Sequence, residues 1–94
     1  MPAPLSRDDR RRLREPRAVE VFGKAGAEAA LDVLVLMEYA WHDCYGESTP
    51  SDDVVEAVLL CSQGRLDLLA KAALLAVVDR RDLWMWAHDL KPRR

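Results

Sequence analysis

Trp41-His42-Asp43-Cys44-Tyr45 brings an imidazole, a carboxylate and a thiol together within five residues. A thiol and an imidazole can act as nucleophile and base only within hydrogen-bond reach of each other. On a helix, side chains two residues apart point about 200° apart, so His42 and Cys44 cannot pair in place. Past a helix end that objection weakens. The simpler reading puts His42 and Asp43 near a helix C-terminus, where the dipole favours an imidazole, with Trp41 and Tyr45 as packing residues.

The four metal-ligating side chains of the softer kind are His42, Cys44, Cys61 and His88. Structural zinc sites usually bring ligands in close pairs, two to five residues apart. Here His42-x-Cys44 is the single close pair, and the others stand alone. Cys61 reads as a small core residue beside Val58 and Leu59, and His88 as a surface residue near a helix end. No cofactor is expected, and both cysteines are expected to be reduced thiols.

Nucleic acid is the next chemistry to weigh. Arg10, Arg11, Arg12 and Arg14, with Arg17 following, form the densest basic run. It has no interleaved aromatics and is diluted by Asp8, Asp9 and Glu15, so an exposed charged helix or basic arm explains it equally well. Segments 50–62 and 65–79, joined through Ser62-Gln63-Gly64, have the outline of a helix-turn-helix. A reading helix must offer polar and basic side chains to base edges and phosphates. Between Leu68 and Val78 the lone polar residue is Lys71, which rejects that motif.

These residues must be positioned by helices, because no stretch alternates with the period of a strand. Ser6 with Asp8 and Asp9 reads as a capped turn. Pro16 can open a short helix running to Phe22, which stops at Gly23 and Gly26. From Ala27 to about residue 42 the strong helix formers dominate, and Gly46 marks the end. Thr49 as N-cap and Pro50 at the first helical position start a helix over 50–62. The last helix is expected to run unbroken over 65–90, although Asp79-Arg80-Arg81-Asp82 is polar enough to mark a bend. The sum is an all-α bundle with three main helices and a short N-terminal one. Residues 1–15 form a basic arm, expected to be exposed and dispensable for folding, and 16–94 form one domain.

Ninety-four residues make one domain with a modest core. The net charge of −2 is unevenly spread. Residues 1–17 carry six arginines against three acids, Lys91, Arg93 and Arg94 add three charges at the other end, and the acidic remainder lies between. That distribution lacks the broad positive surface nucleic acid demands. Arginine outnumbers lysine eleven to three, with no isoleucine and no asparagine, a bias of GC-rich bacterial genomes. The N-terminus lacks the apolar stretch of a signal peptide. The longest apolar run, Ala72 to Val78, is far short of the ~18–20 residues that span a bilayer. A cytoplasmic protein with no membrane partner is expected.

Half of the residues are apolar, a generous supply for so small a chain. Between Ala29 and Trp41 only Asp32 and Glu38 are polar, whereas an ordinary surface helix keeps about half its circumference polar. In a small bundle both apolar helices cannot be central. Val35, Leu36, Leu68, Leu74, Leu75 and Trp86 are therefore assigned to an interface. The competing reading covers them with Val19, Val21 and Phe22 of the short N-terminal helix. Of the neighbouring tryptophans, Trp84 continues the inward stripe and Trp86 points to a partner or solvent.

The stretch Glu38-Tyr39-Ala40-Trp41-His42-Asp43-Cys44-Tyr45-Gly46-Glu47, with Thr49-Pro50, Asp52-Asp53-Val54 and Arg81-Asp82-Leu83, resembles a group of short, uncharacterised, all-helical proteins of high-GC Gram-positive bacteria. The resemblance spans roughly the last two-thirds of the chain and implies no activity and no site residues. The sequence thus points to a non-enzymatic protein–protein interaction module. Its expected partner is itself, as a homodimer, or another helical protein. The alternative is a nucleic-acid-associated regulator using Arg10, Arg11, Arg12 and Arg14.

Overall fold

The computed structural model describes residues 6–46 and 49–90. The first five residues, Glu47 and Ser48, and the basic run 91–94 lie outside the described residues. Four helices follow in order: α1 (Arg7–Tyr45), α2 (Asp52–Ser62), α3 (Leu66–Val78) and α4 (Arg80–Leu90). The expected all-α bundle is what forms.

Its most consequential feature lies inside α1. Gly23 alone departs from helical geometry, with φ 76° and ψ 168°. On a straight helix Arg10 and Glu38 would stand about 42 Å apart, yet their side chains meet at 3.0 Å. The chain therefore folds back at Gly23 into a helical hairpin. Its N-terminal helix, residues 7–22, lies antiparallel against residues 24–45. The turn expected at Gly23 is there, while Gly26 is helical. The N-terminal helix is much longer than the expected segment from Pro16, because Ser6 caps it: its hydroxyl accepts from the Asp9 N–H, with Asp8 and Asp9 in the positive first turn. Pro16 sits within that helix and does not start one.

The other boundaries also follow from caps. Ser51, not Thr49, is the N-cap of α2, its Oγ accepting from the Val54 N–H at 3.3 Å. Pro50 is buried just before the cap, as is Val55 in the first turn, the positions at which apolar residues fix a chain's entry into a helix. Gln63 and Gly64 both take the left-handed conformation between α2 and α3. A Cβ at Gly64 would lie 3.0 Å from the Val21 carbonyl oxygen, so this turn is pressed against the hairpin. The helix expected over 65–90 breaks at Asp79. Its φ of −155° is non-helical, and its Oδ1 accepts from the Asp82 N–H at 3.2 Å. Asp79 thus caps α4, which outweighed the absence of glycine or proline.

α2 packs on α3, α3 on α1, and α4 on both α2 and α3. Leu34, Val58, Leu59, Cys61, Leu69 and Leu83 are fully buried where these helices meet. Each large apolar side chain so removed from water contributes about 1.5–3 kcal/mol. Trp41 joins this core, as its spacing from Leu34 and Met37 predicts. The two later tryptophans are reversed from expectation. Leu83, Trp86, Ala87 and Leu90 form the inward stripe of α4, and Trp84 is 43% exposed. The break at Asp79 resets the helical phase, so a stripe extrapolated from α3 lands on the wrong face.

Candidate interaction surface and the arginine clasp

One outward-facing row of α3 is Leu66, Ala70, Leu74 and Val78, apolar at intervals of four and flanked by the exposed Asp67 and Lys71. Leu74 is 60% exposed and Val78 65%. On α1, which packs against α3, Leu36 is 65% exposed. It lies on the outer face of α1, one turn from Asp32 and Tyr39, which Arg11 and Arg7 of the N-terminal helix meet. The α3 row makes an exposed hydrophobic patch. Of the six residues the sequence assigned to an interface, Leu36 and Leu74 are open to solvent. Val35, Leu68, Leu75 and Trp86 are half-buried, the last two packed against the core. Leu66, Ala70 and Val78 were missed, although their i, i+4 spacing with Leu74 was legible.

The arginine run does something else. Arg10 donates from Nε and Nη2 to both Glu38 oxygens, and Arg14 Nη1 reaches Oε1 at 2.6 Å. Glu38 is 3% exposed, a carboxylate among core residues. Burial pushes its carboxyl upward, but the hydrogen bonds and charges of Arg10 and Arg14 outweigh that and hold it below its ordinary value of 4.5. Arg7 stacks over Tyr39 at 4.0 Å and donates to its hydroxyl at 2.7 Å. Arg11 pairs with Asp32, Arg12 with Asp9, and Arg17 with Glu20 and Glu56. Residues 7–15, expected as an exposed basic arm, are thus a helix stapled to the rest of α1. Arg10, Arg11, Arg12 and Arg14 each meet a carboxylate of their own chain.

Two grooves flank α2. One, of about 830 Å³, lies between α2 and α4 and is lined by Leu60, Trp84, Met85 and His88 among others. The second, of about 720 Å³, separates α2 from the N-terminal helix. Arg17 and Glu56 line both grooves, and their ion pair stands between them.

The residues with catalytic letters do not converge. His42 and Cys44 are exposed near the end of α1, inside the helix, where the 200° separation holds. Cys61 is buried in α2, which pushes its thiol up to about 11, and His88 is exposed on α4. Among the described residues no three His, Cys, Asp or Glu side chains are grouped to hold a metal ion. No helix among them is long and apolar enough to cross a membrane. Around Trp41, the Tyr45 ring packs tilted, with centroids 4.8 Å apart, and its hydroxyl donates to the Val77 carbonyl, while the Arg80 guanidinium lies over both rings. This set ties the end of α1 to α3 and the start of α4.

No protein-family model, curated protein or solved structure matches this chain.

Proposed function

We propose that this chain is a non-enzymatic protein–protein interaction module that self-associates through the apolar outer faces of α1 and α3. The observation that carries the reading is the stripe Leu66-Ala70-Leu74-Val78, an apolar row of α3 left in water. Single exposed apolar residues are ordinary, but a contiguous row along one helix costs solvation free energy that burial against a partner recovers. A two-fold pairing is the commonest closed arrangement and lets one face serve both copies. The intramolecular pairing of Arg10, Arg11, Arg12 and Arg14 takes away the observation that favoured nucleic acid.

Light scattering across about 1–100 µM tests the reading, since an association of this kind is concentration-dependent. The expected result is a mass that rises toward twice the chain mass, and that Leu74→Glu returns to one. A wild-type mass equal to one chain throughout overturns it.

A further inference from the structure

We infer that the α1 hairpin is a hinged clasp able to exchange its N-terminal helix with a second copy of the chain. In the 39 residues of α1, Gly23 alone is non-helical. Turning that residue's two dihedrals to helical values makes α1 one continuous rod, about 58 Å long. The whole molecule spans 42 Å in its longest direction, so the opened N-terminal helix would project beyond the body. Ala18, now fully buried, and Val19 and Phe22, packed on the core, would be stripped of cover. On the body, Glu38 would lose both arginines. A second opened copy restores every one of these contacts.

The pairing geometry suits this exchange. Arg7 faces Tyr39 and Arg10 faces Glu38, so the antiparallel contact is centred beside Gly23. Two straight α1 helices crossing antiparallel at Gly23 therefore reproduce the same pairs between chains, with a two-fold axis at the hinge. Closed and exchanged forms share their contacts and differ at the hinge, the condition under which exchange is cheap. The balance then rests on Gly23. Its φ of 76° with ψ of 168° lies in a region that is essentially glycine's alone. A Cβ there meets nothing within 4 Å, so alanine is opposed by the backbone conformation and by no neighbour.

The exchange does not depend on the α1/α3 face, so Leu74→Glu is carried in every chain to keep the two separate. Gly23→Ala disfavours the closed turn and favours continuous helix, shifting the ratio of open to closed by roughly a hundredfold. Native mass spectrometry at about 50 µM is expected to find L74E monomeric and G23A/L74E dimeric. A folded, monomeric G23A/L74E overturns the inference. Should that chain fail to fold, a complementing pair decides. One chain carries Glu38→Arg and the other Arg10→Glu with Arg14→Glu, so each mismatches its own clasp and matches the other's. A one-to-one heterodimer on mixing, melting above either chain alone, supports exchange. Two chains that stay separate refute it.

Discussion

Arg14 and Glu38, twenty-four residues apart in sequence, meet at 2.6 Å with the carboxylate almost wholly out of water. The contact closes the α1 hairpin, and Arg10 completes it from one turn earlier. Neither arginine is fully desolvated, so together they neutralise Glu38 without a second burial penalty of the same size.

Glu38→Ala removes the acceptor and leaves the largely covered Arg10 and Arg14 side chains without it. Breaking a buried pair from one side costs about 3 kcal/mol. Urea unfolding is expected to show that loss with a similar m-value, whereas Asp32→Ala, which breaks the exposed Arg11 pair, changes stability by less than about 1 kcal/mol.

The same carboxylate sets an acid limit. Its folded pKa lies below its ordinary 4.5, so the unfolded chain binds its proton first as pH falls. Stability from this group is fully present above about pH 5 and is lost as pH drops through the ordinary value and on through the folded one. Glu38→Gln cannot titrate. Thermal midpoints measured from pH 7 to pH 3 should fall less steeply for that variant than for wild type, and equal slopes would falsify the assignment.

Deleting residues 1–14 removes Arg10 and Arg14 together with the Ser6 cap. A loss near 3 kcal/mol in a domain this size corresponds to roughly 10–20 °C in the thermal midpoint. Calorimetry of the truncated chain is expected to show a drop of that order.

That outcome reverses what the sequence suggests for this segment, and the reason is physical. Local signals were readable: Ser6 and Asp9 announce a cap, Gly23 a turn, Gly46 an end, and the Leu34/Met37/Trp41 spacing a core face. Helix type and number follow from such signals, since each is decided within a few residues. Whether an arginine run is solvated or clasped is decided by a partner far along the chain. Glu38 was the available hint, an acid set four residues after Leu34 on the buried face, and it gains meaning only once the hairpin brings Arg10 back. The break at Asp79 was hidden for a related reason: an aspartate can cap a helix or ride on its surface, and packing chooses.

The two thiols should separate in reactivity. Cys44 is exposed on α1, while Cys61 has no exposed surface and burial pushes its thiol to about 11. A thiolate is the reacting form, so Cys61 is shielded by both access and protonation. Alkylation at pH 7.5 (about one unit below the free thiol value), followed by peptide mass spectrometry, is expected to modify Cys44 in the folded chain. Cys61 should react only in denaturant, and its equal labelling without denaturant would show that the α2 core opens readily.

The three tryptophans should matter in the order Trp41, Trp86, Trp84. Trp41 is 2% exposed, and truncating a buried aromatic costs about 3–5 kcal/mol, enough to unfold much of a small domain. Trp86 shares the inward stripe of α4 with Leu83, Ala87 and Leu90, and Lys71 from α3 sits over its ring at 5.6 Å. Because part of the ring is already in water, Trp86→Ala is expected to cost about 2 kcal/mol, short of the full cavity penalty. Trp84 stands in the wall of the α2/α4 groove with 43% of its surface exposed. Its replacement by alanine should change folding stability by less than about 0.5–1 kcal/mol. The ordering follows from the phase of α4: Trp84 and Trp86 lie about 200° apart, so one enters the core only if the other leaves it. Denaturant midpoints of the three alanine variants check it. If Trp84→Ala proves the more damaging of the α4 pair, that helix is turned by half a circumference and Asp79 is no longer its start.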